Sequence, residues 1–209
     1  LLRHLGVRVG VCTNQAQLIL VTSEDSLPFQ QEIASEIMGK VPELVGMHQN
    51  INTEKTNVIF GKNTRRLAGK SSYIEYIGKI KYKISPLSFF QINTIQPKKL
   101  YDQVKALADL QGEENVIDTY SGIGSIGLYL AAEAGHVFGI EENEGAIEDA
   151  RENARLNNIN NSTFIKGQVE KELLSLYLRL FIFNIFSVFF IVFRPFIFTF
   201  MFINFRAAL

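Results

Sequence analysis

The sequence predicts an α/β fold, a parallel sheet whose strands alternate with helices, preceded by a smaller α+β module. Three observations carry that expectation. From Gln96 onward, short apolar runs alternate with longer amphipathic stretches, the pattern of parallel strands joined by right-handed crossovers. The first of these strands runs into Asp118-Thr119-Tyr120-Ser121-Gly122-Ile123-Gly124-Ser125-Ile126-Gly127, a turn with three glycines. The second strand, His136–Ile140, is followed at once by an acid, Glu141.

Taken in chain order, Gly6–Thr13 and Gln17–Thr22 predict a hairpin around Asn14-Gln15. Leu27–Gly39 predicts a helix with Pro28 in its first turn. Glu43–Asn50 and Thr56–Gly61 predict further strands, and Tyr73–Ile77 with Lys79–Ser85 a second hairpin about Gly78. In that hairpin Lys79, Lys81 and Lys83 alternate with Ile80, Tyr82 and Ile84, which puts three ammoniums on one face. A lysine row can contact phosphates or protect an edge strand, and both readings stand. Pro97 opens a helix to about Leu110, Val116–Thr119 is the first parallel strand and Ser125–Ala134 a helix. His136–Ile140 is the second strand, Glu144–Asn157 a helix and Thr163–Gly167 the third strand. No internal repeat is visible.

Composition narrows the function classes. The net charge is zero, and residues 173–209 contribute only Arg179, Arg194 and Arg206, so residues 1–172 sum to −3 and overall charge does not point to nucleic acid. One cysteine, Cys12, excludes an internal disulfide framework or a cysteine-rich metal site. His4, His48 and His136 lack metal-ligand spacing, so no metal is expected.

The glycine turn is where a ligand belongs, because strand-to-helix turns at the C-terminal ends of parallel strands form the binding crevice. Gly122-Ile123-Gly124-Ser125-Ile126-Gly127 satisfies the dinucleotide pattern, so that pattern alone leaves the cofactor class open. Asp118 tips the balance: a carboxylate at the strand end repels a pyrophosphate and suits the cationic sulfonium and amino groups of S-adenosylmethionine. Glu141, at the tip of the second strand, is placed to accept hydrogen bonds from ribose hydroxyls.

Several linked stretches then carry a resemblance. These are Ser88-Phe89-Phe90-Gln91-Ile92-Asn93, Gln96, Leu100-Tyr101, Asp118 to Leu128, Val137-Phe138-Gly139-Ile140-Glu141, Ala146-Ile147 and Asp149-Ala150-x-x-Asn153-Ala154-x-x-Asn157. Upstream, Arg3-His4-Leu5, Ile19–Thr22, Gln49–Asn52 and Thr56–Gly61 join them. In order and spacing they resemble the RNA (uracil-5-)-methyltransferases, in particular the bacterial enzymes that make 5-methyluridine in 23S ribosomal RNA. The resemblance covers roughly residues 1–170.

It implies a Rossmann-like S-adenosylmethionine-dependent methyltransferase fold, incomplete in this chain, and S-adenosyl-L-methionine as cofactor. On that basis Gln91 holds the methionine part, Tyr120 lies along the same wall, Ser125 sits near the amino-acid end and Glu141 grips the ribose. Asp118, Gly122 and Gly124 complete the expected cofactor-binding set. The family usually has Cys where Ser121 stands and often Thr at Ser125, both small side chains in a tight turn. The implied partner is RNA, with the uridine flipped out or single-stranded, and the implied location is the cytoplasm. In the family a Cys thiolate adds to C6 of uracil, C5 then attacks the sulfonium methyl, and a base removes the C5 proton.

Beyond residue 170 the resemblance stops. The family's Asp-Pro loop, nucleophilic Cys and Glu base do not follow, so no catalytic residue is expected here. Leu173–Leu209 instead holds eleven of the seventeen phenylalanines and no Asp or Glu. Arg194-Pro195 splits this run into Leu180–Phe193 and Phe196–Phe205, each short of the roughly 20 residues a membrane helix needs. A shifted reading frame in AT-rich coding sequence is the favoured reading, with a membrane segment the alternative. The expected organisation is therefore residues 1–85 as an α+β module with possible RNA contact, 86–170 as the N-terminal half of the methyltransferase domain, and 171–209 as an aberrant tail. With no Met or leader ahead of Leu1, the chain is expected to be truncated at both ends. The competing functional readings are a nicotinamide-dependent oxidoreductase, a cofactor-free RNA-binding remnant and a membrane-anchored protein.

Overall fold

A computed structural model describes residues 1–55, 57–91, 95–182, 187–194 and 197–204. The chain divides into two compact units, Leu1–Tyr76 with Lys83–Leu87, and Ile77–Tyr82 with Ser88–Leu209.

The first unit is built on a four-stranded sheet. Strand β1 (Leu2–Gly10) pairs antiparallel with β2 (Gln15–Thr22). Helix α1 (Gln30–Lys40) then carries the chain to β3 (Leu44–Ile51), which lies parallel to β2, and β4 (Asn63–Gly69) returns antiparallel to β3. Leu20, Ala34 and Met47 form the core between sheet and helix, with Ile33, Ile37 and Leu67 packed against them. The helix begins later than expected: Phe29 sits at φ 56, in the left-handed region, so helical backbone starts only at Gln30.

The strand expected over Thr56–Gly61 is not formed. Thr56 lies outside the described residues, and Asn57–Gly61 is irregular, with β4 starting only at Asn63. Two buried asparagines explain the difference. Asn52 Nδ2 donates to the carbonyls of Val58 and Ile59 at 2.8 and 3.0 Å. Asn50 accepts from Gly61 N at 2.7 Å and donates to Gly61 O at 2.9 Å. Side chains thus supply the partners that a ladder would otherwise provide.

Strands β5 (Tyr73–Ile77) and β6 (Ile80–Ile84) form the expected second hairpin. Tyr82 and Ile84 are buried and Lys79 is exposed, while Ile80, Lys81 and Lys83 are all half-buried, so the expected lysine face is open only at Lys79.

In the second unit, helix α2 (Ile95–Ala108) leads into β7 (Asn115–Thr119), α3 (Ser125–Leu130), β8 (His136–Glu141), α4 (Glu144–Leu156) and β9 (Ser162–Lys166). Strands β7, β8 and β9 are parallel. Asn143 opens α4, its side-chain oxygen accepting from Ala146 N at 3.0 Å. Every residue of β7 is buried, the mark of a central strand covered on both faces.

The residues beyond 170 continue the second unit. Helix α5 (Val169–Ile182) runs through position 171, and Val169 and Leu176 pack with Ile117 and Ile140 in the core. Beyond it, β10 (Ser187–Arg194) lies parallel to β7, Val188 opposite Asn115 and Val192 opposite Thr119, and β11 (Ile197–Asn204) pairs antiparallel with β10. The sheet order is β11-β10-β7-β8-β9. A sheet ending at β9 would have left the other edge of β7 with unpaired N–H and C=O groups, and a run rich in Val, Ile and Phe suits that position. Pro195 lies outside the described residues. Among the described residues, no helix is long and apolar enough to cross a membrane.

Candidate cofactor site

The site begins where β7 ends. Tyr120, Gly122 and Gly124 all have positive φ, at 58, 54 and 77°, so the chain reverses tightly before α3. Gly124 has no room for more: a Cβ there would stand 2.7 Å from the Phe164 ring. Gly122 meets nothing within 4 Å on its Cβ side, leaving backbone next to open space.

An open cleft with a cavity volume of about 40 Å³ follows this turn. Phe89, Phe90 and Gln91 line it from one segment, Tyr101 from α2, and Asp118 and the residues of the turn from the other side. It gathers five of the expected residues: Gln91, Asp118, Tyr120, Gly122 and Ser125. Gly124 and Glu141 adjoin the turn without being among the residues that line the cleft. Asn93 lies outside the described residues.

Asp118 is 1% exposed, and its Oδ2 accepts from Gly127 N at 2.9 Å. Burial pushes its carboxyl up to about 7, with the Gly127 amide opposing and the Glu141 charge adding to the rise. Glu141 accepts from Gly122 N at 3.0 Å through one oxygen and from Asn143 N at 2.8 Å through the other. Its carboxylate therefore pins the glycine turn to the end of β8, and each oxygen keeps a further lone pair for a ligand hydroxyl.

Ser125 is held from two sides. Tyr101 donates to its Oγ at 3.0 Å and Tyr82 to its carbonyl at 2.7 Å. Burial raises the Tyr101 hydroxyl to about 12, so it stays a donor across the working pH range. Tyr120 donates to Glu170 at 3.0 Å. Ser121 lines the cleft at 5% exposure, and its hydroxyl has no partner among the described residues. A buried carboxyl at the strand end and a bare glycine backbone beside open space suit a polar, adenosine-type cofactor.

Sequence reasoning missed Tyr82 and Tyr101 as supports, because a buried tyrosine at helix or strand spacing reads as core. Cys12 is the sole cysteine and belongs to the first unit. Its thiol donates to Tyr76 O at 3.8 Å and is raised by desolvation and by Glu75, the opposite of an activated nucleophile. No cluster of three or more His, Cys, Asp or Glu able to hold a metal occurs among the described residues.

Comparison with known proteins agrees with this geometry. Residues 110–192 match the family described as a methyltransferase domain. Over 170 residues the chain is 46% identical to an uncharacterized RNA methyltransferase of Listeria monocytogenes, covering 81% of this chain and 37% of that protein. A Bacillus cereus relative of the same name is 46% identical over 169 residues, with the same coverage of 81% and 37%. Among solved structures, the tRNA (uracil-54, C5)-methyltransferase of Pyrococcus abyssi in complex with S-adenosyl-L-homocysteine superposes with a TM-score of 0.65 at 31% identity, covering 80% of this chain and 39% of that one. Fold, site and matches together define a Rossmann-like methyltransferase domain. Within that class the chain is similar to the RNA methyltransferases it matches, and it spans little more than a third of their length.

Proposed function

We propose that the cleft binds S-adenosyl-L-methionine and that the protein to which these residues belong methylates C5 of uridine in RNA, with 23S ribosomal RNA the substrate and the cytoplasm its place. The observation that carries the reading is the convergence of Gln91, Asp118, Tyr120, Gly122 and Ser125 on one cleft beyond the C-terminal end of β7. Likeness to a tRNA uracil-C5 methyltransferase solved with S-adenosyl-L-homocysteine supports it. Gln91 and Ser125 would hold the methionine part, Tyr120 the wall and Glu141 the ribose; the cofactor would supply the methyl group.

These residues bind and orient, and they do not activate the base. Uracil C5 is a poor nucleophile until a thiolate adds at C6, and Cys12, the sole thiol, is raised by desolvation and by Glu75 and so is not activated. The 209-residue chain by itself therefore transfers no methyl group. Incubation with tritiated S-adenosylmethionine and unmodified ribosomal RNA should give background counts; incorporation abolished by Cys12→Ala would overturn this. Residues 171–209 we ascribe to a shifted reading frame, and the DNA downstream of codon 170 should then encode the Asp-Pro and Cys motifs in another frame. Calorimetry should detect S-adenosylhomocysteine binding and no NADH binding, and the reverse result would reassign the cofactor.

A further inference from the structure

Asp149, Asn153 and Asn157 recur every four residues along α4 and its C-terminal cap, which stacks them on one face of the helix. Asp149 and Asn153 are 4% and 0% exposed. Apolar side chains would fill such a face at no cost, whereas buried polar groups are costly unless bonded. Each of the three reaches a different segment. Asp149 Oδ2 accepts from Ser88 Oγ at 2.7 Å. Asn153 Nδ2 donates to Ile123 O at 3.2 Å. Asn157 donates to Lys81 O at 2.7 Å and accepts from Lys81 N at 2.8 Å.

The three segments so held are those that carry the cleft. Ser88 directly precedes Phe89, Phe90 and Gln91, and Ile123 stands in the glycine turn. Lys81 precedes Tyr82, whose hydroxyl donates to Ser125 O at 2.7 Å and whose ring centre lies 5.7 Å from that of Phe90. Ser88 thus adjoins a lining residue, Ile123 is itself one, and Lys81 adjoins the tyrosine that holds Ser125. These steps are short enough that the ordering reaches the cleft.

We propose that Asp149, Asn153 and Asn157 form a polar ladder that positions both walls of the cofactor cleft, acting through Ser88, Ile123 and Tyr82 without touching the ligand. This inference rests on reading the cleft as a cofactor site. It gives the Asp-x-x-x-Asn-x-x-x-Asn spacing a purpose that helix packing alone does not require.

The test uses the 209-residue chain with Asp149→Ala, the milder Ser88→Ala, the conservative Asp149→Asn, and Glu148→Ala on the exposed side of α4 as control. Nitrogen relaxation should show the order parameters of Phe89–Gln91 falling from about 0.85 to below about 0.6 in Asp149→Ala and Ser88→Ala, with β8 unchanged. Affinity for S-adenosylhomocysteine should fall about tenfold in both, the scale of one hydrogen bond to a charged group. Asp149→Asn keeps an acceptor oxygen and should return order and affinity to within about threefold of the parent, and Glu148→Ala should change neither. Unchanged order at Phe89–Gln91 in folded Ser88→Ala, or a loss of order spread equally over β8, would overturn the ladder. If the parent chain fails to bind S-adenosylhomocysteine, the cofactor reading falls, and the relaxation pattern still decides whether α4 positions the segment.

Discussion

The glycine turn after β7 and the loop that precedes β4 are both irregular backbone, yet they are held in different ways. The turn is fixed by its own residues and the adjoining strand: positive φ at Gly122 and Gly124, the Asp118 carboxyl on Gly127 N, and Glu141 on Gly122 N. The loop over 57–61 is fixed by amides of Asn50 and Asn52, which lie in β3 and just after it. A turn made by glycine is written into a local motif. A loop made by buried amides depends on which side chains the sheet directs towards it.

The largest effect should come from the loop. Asn50→Ala removes bonds to Gly61 N, Gly61 O and Thr64 Oγ1 from a fully buried site, and at about 1 kcal/mol for each bond should cost about 3 kcal/mol. Urea denaturation of the first unit would measure it, and a loss below about 1 kcal/mol would mean that water replaces the amide. Gly124→Ala tests the turn. A left-handed residue with a Cβ 2.7 Å from Phe164 should lose about 2–3 kcal/mol and abolish ligand binding with it. Retained affinity would show that the turn can relax.

Glu141→Ala separates anchoring from binding. The variant frees Gly122 N and Asn143 N, both at the rim of the turn, and should weaken S-adenosylhomocysteine binding by about 1.5–3 kcal/mol. Calorimetry on the variant alongside Glu141→Gln, which keeps one acceptor, would divide the two roles. Counted per pH unit, the smallest effect is in pH dependence. Asp118 rises from 3.8 to about 7 on folding, so the folded chain holds a proton that the unfolded chain releases across that window. The associated stability is complete below about pH 4 and is lost as pH climbs through 7, with a slope of at most about 1.4 kcal/mol per pH unit. Asp118→Asn should flatten this part of the stability–pH curve; a variant with the parent's slope would place the proton elsewhere.

Much of the second unit was legible beforehand. Alternating apolar runs and helical stretches gave β7, α3, β8, α4 and β9 within a few residues of their observed bounds, because a buried parallel strand leaves a continuous apolar signature. Five cleft residues followed from the glycine turn and the resemblance. Tyr82 and Tyr101 did not, since a tyrosine's value as a donor depends on what its hydroxyl reaches. The strand expected over Thr56–Gly61 failed for the matching reason: a short apolar run says nothing about whether two asparagines will claim its carbonyls.

The sequence by itself determined the parallel α/β order, the glycine turn, the acid that ends β8 and the class of cofactor these suit, because each depends on backbone conformation and local apolar periodicity. Tertiary structure alone decided that β10 fills the edge beside β7, that Glu141 ties the turn to the end of β8, and that a ladder of amides and a carboxyl on α4 reaches the cleft walls. Those outcomes depend on pairings between residues tens of positions apart, whose polar groups found partners only once the chain had packed.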